Sequence, residues 1–209
     1  MSANIAKYRQ AFDVSQALLD IAEINTFPID MFEFLRQKKG APILVKSIGV
    51  YNAWNLSQHP SKWNPIYIKD AKCLYYPSRN VYMILYNESQ PETRIRFSLA
   101  HELAHIVLGH LNDERTELER GGLDDIIYFA MEGAANTFAG NFLAPPILIH
   151  ELVNGKSFDI GLIATVFNIS HTSVQQYRAE DYKWWLKTTA SSREQKILNR
   201  CRRNLHQCT

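Results

Sequence analysis

The sequence predicts an α+β fold: a mostly helical chain with a small antiparallel β-sheet ahead of its central helix and a helix-turn-helix-like region near the C-terminus. Three observations carry this. Apolar residues recur at helical spacing through the middle of the chain, as in Ile95, Leu99, Leu103, Ile106 and Val107. Two strand-like runs, Lys72–Tyr76 and Val81–Tyr86, flank Pro77-Ser78-Arg79-Asn80, whose residues favour a turn. A long apolar run, 126–146, is closed by Pro145 and Pro146, which cannot continue a helix.

The elements follow in order. Residues 4–24 read as an amphipathic helix with Tyr8, Phe12, Leu18, Leu19 and Ala22 near one face, and 29–39 as a second helix ended by Gly40. Ile43 to Tyr51 reads as a strand. Residues 52–65, with Asn, Ser, His and two prolines, read as a loop over Trp54 and Trp63, and 66–69 as a short strand. The hairpin then leads into the central helix. Ser89-Gln90-Pro91-Glu92 has the form of a capping box with proline in the first turn, and Gly109 is a stop. Val81–Tyr86 is a candidate edge on which an extended peptide could add as a strand; because both its faces are apolar, it also reads as a central strand. After Pro146, 147–153 reads as a short helix and 154–157 as a loop. Asp159–Phe167 and Ser170–Trp185 read as two helices around Asn168-Ile169.

Composition narrows the class. A chain of 209 residues, 46% hydrophobic and 21% charged, can bury one sizeable core with a small appended region. A formal charge of +2 gives no argument for nucleic acid. Three cysteines, Cys73, Cys201 and Cys208, are odd in number and lack zinc-knuckle spacing, so they read as reduced thiols of a cytoplasmic protein. No run reaches transmembrane length, and MSANIAKYRQAFD has no apolar signal core, so neither membrane insertion nor secretion is expected.

The chemistry lies in HELAH, 101–105. On a helix His101 and His105 share a face, so two imidazoles can hold one zinc ion while Glu102 serves as general base on the attacking water. With 7 histidines in the chain, chance alone gives this pattern in about 1% of cases or fewer. An open zinc site wants a third protein ligand. A third histidine in the HExxHxxGxxH register is excluded, because Leu108 and Leu111 hold the required positions. His110 comes five residues after His105, off the shared face, so a role in support of the ligands or at the surface is expected of it rather than ligation. Asp113, Glu114, Glu117, Glu119, Asp124 and Asp125 sit in a polar stretch that reads as a solvated loop. Glu132 stands in the apolar run 126–146, where an unpaired carboxylate is costly and a metal would remove that cost. Asn136, one turn on, is placed to brace the carboxylate or a ligand histidine. Gly133, Ala134, Ala135, Ala139 and Gly140 would let this helix lie close to the HELAH helix.

RIRFSLAHELAHIVLGH, 94–110, and EGAANTFAGNFLAPP, 132–146, together resemble the ImmA/IrrE family of metallo-endopeptidases. FPIDMFEFLRQKKG, 27–40, and FNISHTSVQQYRAEDY, 167–182, are similar to further family segments. The chain departs from the family pattern at Ala134, where many members have a second acidic residue, and at Ala144, often methionine. The resemblance implies a zincin-like domain over 1–155; the residues beyond it read as a helix-turn-helix-like extension over 156–190 and a basic tail over 191–209. It implies zinc held by His101, His105 and Glu132, Glu102 as base and Asn136 as the motif asparagine. It further implies an intracellular endopeptidase acting on a protein substrate, a helix-turn-helix repressor of phage, mobile-element or stress genes.

Several residues invite secondary roles. Tyr128, His110 and His150 are candidates for stabilising an oxyanion, and Arg94 and Arg96 are expected to pair with acidic groups. The alternative functions are a non-catalytic regulatory module and a DNA-binding regulator acting through 159–185. The second helix of that pair starts polar rather than basic, so direct nucleic-acid binding is not expected. The basic residues from Lys183 onward read as a solvated or frayed helix, with a landing site for a DNA-bound substrate as the other reading.

Overall fold

The computed structural model describes residues 2–37, 40–62, 64–118, 124–155 and 157–205; Trp63, Glu119, Cys208 and the end of the 29–39 helix lie outside them. In chain order the described elements are α1 (Ser2–Ile21), α2 (Met31–Gln37), β1 (Ile43–Ser47), α3 (Ile48–Gln58), β2 (Ala71–Tyr76), β3 (Val81–Tyr86), α4 (Glu92–Val107), α5 (Asp125–Leu143) and α6 (Pro146–Val153). They continue with α7 (Ile160–Phe167), α8 (His171–Ser173), a π turn over Val174–Arg178, α9 (Ala179–Trp185) and α10 (Ser192–Leu205). The fold is α+β.

The sheet is mixed, not antiparallel throughout. Its order is β1-β3-β2, with β1 parallel and β2 antiparallel to β3. The hairpin forms where the turn sequence places it. Val81–Tyr86 is the central strand, as its two apolar faces require: Ile84 and Leu85 are fully buried. The edge strand on the hairpin side is therefore β2.

The strand expected over Ile43–Tyr51 stops at Ser47, whose hydroxyl accepts the Val50 N–H and starts α3. The Glu88 carboxylate accepts the Gly49 N–H from 39 residues away, a contact no local pattern reveals. Most of the expected loop 52–65 is thus helix, and Trp54 stands half-exposed on it rather than under a loop. No strand forms at 66–69. That segment is held as irregular backbone by side-chain amides: Asn52 pairs with both backbone groups of Ile66, and Asn87 and Gln90 donate to Lys69 O.

Helix α4 lies between the sheet and α5, and α5 between α4 and α1. Leu99 and Leu103 are fully buried, each worth about 1.5–3 kcal/mol of apolar burial, which anchors the helix that carries HELAH. The expected capping box does not form. Pro91 is the N-cap, without a side-chain cap bond, and Asn87 Oδ1 accepts the Ser89 N–H in the turn ahead. Glu92 instead accepts from Asn168 Nδ2 at 2.8 Å.

Arg94 pairs with Asp70 through two bonds of 2.9 and 2.7 Å. No acid among the described residues forms an ion pair with Arg96. Buried, it donates to the carbonyls of Ile29, Phe167 and Asn168, tying α4 to the approach to α2 and the end of α7. A guanidinium has five donors, so three carbonyls satisfy it as well as a carboxylate would.

The glycines of α5 do not serve contact with α4. A Cβ on Gly133 would lie 2.7 Å from the Tyr8 ring of α1, and one on Gly140 would lie 2.1 Å from Arg178 Nη2. The basic C-terminal stretch is a packed helix rather than a frayed one. Ile197, Leu198, Cys201 and Leu205 of α10 are buried, Arg200 bonds Asp20, and Arg202 bonds Glu151. No described helix is long and apolar enough to cross a membrane.

Candidate metal centre

Two helices build the site. His101 and His105 project from one face of α4, and Glu132 reaches them from α5. The two Nε2 atoms stand 3.0 Å apart; Glu132 Oε2 lies 3.4 Å from that of His101 and Glu132 Oε1 3.4 Å from that of His105. Three ligand atoms within 4.8 Å of one another can hold a single metal ion.

The outer nitrogens are occupied. His101 Nδ1 lies 2.9 Å from Asn136 Oδ1, one turn beyond Glu132 on α5. Since the amide oxygen accepts, the proton of a neutral His101 sits on Nδ1 and its Nε2 lone pair faces the site. His105 Nδ1 lies 2.8 Å from His110 Nδ1. Both imidazoles therefore turn the same nitrogen inward, and the donor set of two imidazoles and a carboxylate fits zinc with a position left for water.

Electrostatics follow from this packing. Burial opposes the charged form of His101, but hydrogen bonds and charge from Glu132, with the Glu102 charge, outweigh it and raise its pKa. Burial also works against the Glu132 carboxylate, yet the two histidines outweigh it and hold the acid well below the usual range. Glu102 is buried beside them, and burial pushes its pKa up against the lowering by His101, His105 and a hydrogen bond from the Cys73 backbone. A base with a raised pKa takes a proton more readily. His110 is lowered to about 3, first by burial and then by the charge of His105.

A cleft of about 870 Å³ opens over the triad. Ala71, Lys72 and Cys73 of β2 form one wall, Tyr128, Glu132 and Asn136 of α5 another, and Ser170 and Ser173 close one end. Tyr75 N–H bonds Thr116 O and Asp70 O accepts from Asn87 N–H, so alternation turns the main-chain groups of Ala71, Cys73 and Tyr75 away from β3. The edge beside the triad is thus β2, not the Val81–Tyr86 strand. Of the three oxyanion candidates, Tyr128 lines the cleft. His110 lies behind His105, and His150 bonds Tyr182 O–H at 2.9 Å away from it.

Residues 58–177 match the family described as the IrrE N-terminal-like domain, a peptidase family. The chain belongs to the IrrE N-terminal-like domain family. The matched span contains His101, Glu102, His105, Glu132 and Asn136. Among solved structures, a Mycobacterium tuberculosis transcriptional regulator superposes with a TM-score of 0.52 at 18% identity, over 79% of this chain and 45% of that one. That likeness is one of fold, and this chain spans less than half the length of that regulator. No curated protein matches the sequence.

Sequence reasoning missed β2 as the edge, because strand order is not written in alternation. It gave His110 a supporting or a surface role without naming His105 as the residue supported, and the fold decides for the first. The signal was present in Gly109: its φ of 71° reverses the chain after α4 and brings His110 back under His105.

Proposed function

We propose that this family member is a zinc-dependent endopeptidase that cuts one specific protein, a repressor-type transcription factor. The observation that carries the reading is the convergence of His101, His105 and Glu132 beside the buried carboxylate of Glu102 in an open cleft. A purely structural metal site needs neither that base nor the cleft. When bound, zinc supplies Lewis acidity, polarising a carbonyl and making water a stronger acid.

The chain's own residues do the rest. The main-chain groups of Ala71 and the carbonyl of Cys73 hold an extended peptide along the β2 edge, the Cys73 N–H being given to Glu102. Glu102 accepts the proton of the attacking water and passes it to the leaving amine. Tyr128, one turn before Glu132 on α5, donates to the developing oxyanion. Asn136 holds the His101 ring by its outer nitrogen.

A repressor as substrate rests on the family, and the name of the M. tuberculosis neighbour fits that regulatory setting. DNA binding through 159–185 is not favoured, because Ser170 and Ser173, which begin the second helix, line the cleft. The test is metal analysis with co-expression of helix-turn-helix repressors encoded near this gene. Glu102→Gln keeps about one zinc per chain and loses cleavage, whereas Glu132→Ala loses zinc. Cleavage that persists in the first variant, or full occupancy in the second, overturns the mechanism.

A further inference from the structure

His110 is buried, at 8% exposure, yet it is neither in the triad nor in the cleft wall. Its placement is held from several sides. Its backbone N–H bonds His105 O at 2.9 Å, Arg115 Nη1 donates to His110 O at 3.0 Å, and Gly109 supplies the left-handed turn between helix and histidine. This backbone delivers His110 Nδ1 to 2.8 Å from His105 Nδ1, with ring centroids 5.0 Å apart.

Tautomer chemistry fixes the direction of that bond. A neutral imidazole has one N–H and one lone pair. If His105 Nε2 is to give its lone pair to a metal, its proton must sit on Nδ1. The facing nitrogen of His110 must then accept, and His110 carries its own proton on Nε2. The usual partner of a ligand histidine is a carboxylate, a backbone carbonyl or water. Here a second, neutral histidine takes that place.

We infer that His110 is the positioning residue of His105 in the metal centre: its Nδ1 accepts from His105 Nδ1–H and so fixes the ring angle and tautomer of that ligand. Asn136 does the same for His101 from α5, so each ligand histidine of α4 is locked by a different segment. The inference rests on the metal-site reading but not on peptidase activity.

The test compares His110→Leu, which keeps bulk without an acceptor, with His110→Asn, whose Oδ1 can stand where Nδ1 stood. Zinc affinity is measured by chelator competition on folded protein. His110→Leu is expected to bind zinc 10- to 100-fold more weakly, and His110→Asn within about threefold of the parent. Ring nitrogen NMR of the unaltered zinc-loaded protein is expected to show His105 protonated at Nδ1 and His110 at Nε2. This readout stands even if the leucine variant fails to fold. Unchanged affinity in His110→Leu, an equal loss in both variants, or a proton on His110 Nδ1 overturns the inference. If zinc binding depends on His110 as stated while no protein is cut, the peptidase reading fails alone. If the parent binds no zinc, both fail.

Discussion

Gly140→Ala sets two effects of opposite sign against each other. Gly140 lies inside α5, where alanine is favoured over glycine by about 1 kcal/mol on helix propensity alone. The structure says the substitution destabilises. The new Cβ would stand 2.1 Å from Nη2, 2.3 Å from Cζ and 2.8 Å from Nε of Arg178, where carbon contacts need about 3.5 Å or more. The guanidinium must move by more than an ångström. It is buried at 3% exposure and bonded to Asp181, so it has little room to retreat. Overpacking of this kind costs about 1–3 kcal/mol. Weakening the contact of a buried charge with its half-exposed carboxylate partner adds to that. Net of propensity, overpacking alone leaves an expected loss of up to about 2 kcal/mol, and the weakened ion pair raises it further, a large share of the stability of an ordinary domain. Urea unfolding of the parent, Gly140→Ala, Arg178→Ala and the double variant gives the coupling directly. In the Arg178→Ala background the clash is gone, and alanine at 140 should be neutral or slightly stabilising. A Gly140→Ala protein more stable than the parent, or a coupling below about 0.5 kcal/mol, would refute the packing argument.

Two further tests address the site. Ala71→Pro removes an N–H that faces the cleft but not the one that pairs with β3. If a substrate strand binds there, kcat/KM should fall about tenfold, roughly the worth of one hydrogen bond, while stability changes by less than about 1 kcal/mol; unchanged cleavage would remove the edge from the mechanism. For the metal-free protein, His110 on one side and His101 with Glu102 on the other shape the pH profile of stability. His110, depressed to about 3 in the fold, contributes stability that is present above pH 6.5 and is lost as pH falls. That loss is about 2 kcal/mol between pH 6.5 and 5, above the carboxylate range. His101, raised in the fold, contributes stability that is full below pH 6.5 and is lost as pH rises through its folded value. In urea unfolding of chelator-treated protein, the parent is expected to lose about 2 kcal/mol relative to His110→Asn between pH 6.5 and 5, while the two profiles run parallel above pH 7. Profiles that also run parallel between pH 6.5 and 5 would show that the acid-side loss lies elsewhere.

What the sequence made legible was what local spacing encodes. His101 and His105 are one helical turn apart, and Glu132 stood out as a carboxylate inside an apolar run; the fold brings the three together. The hairpin was legible because its turn residues and apolar runs are adjacent. The rest depends on contacts between distant segments. The Glu88 bond to Gly49 N–H helps turn the end of a strand pattern into α3. The parallel pairing of Ile43–Ser47 with Tyr82–Tyr86 decides which hairpin strand is central. Arg96 found carbonyls rather than acids because the ends of two other segments happen to converge on it. None of these has a periodic signature.

The turn after α4 bears on how a substrate would lie. Thr116 O already bonds Tyr75 N–H, and Glu117 pairs with Lys72 at 2.7 Å, so residues 116–117 cover the far end of the β2 edge. Among the described residues, Ala71 to Cys73 lies short of that cover, about 10 Å at the rise of a strand, with the Cys73 N–H given to Glu102. A guest chain laid there meets a wall after three residues and must bend away. Such a docking rail has an end stop: it registers the chain instead of letting it slide. Under the proposed function, the bond that is cut is then chosen by where the guest can turn as much as by its side chains. A substrate whose scissile stretch borders a flexible bend would be accepted, and the same residues in the middle of a rigid helix would not.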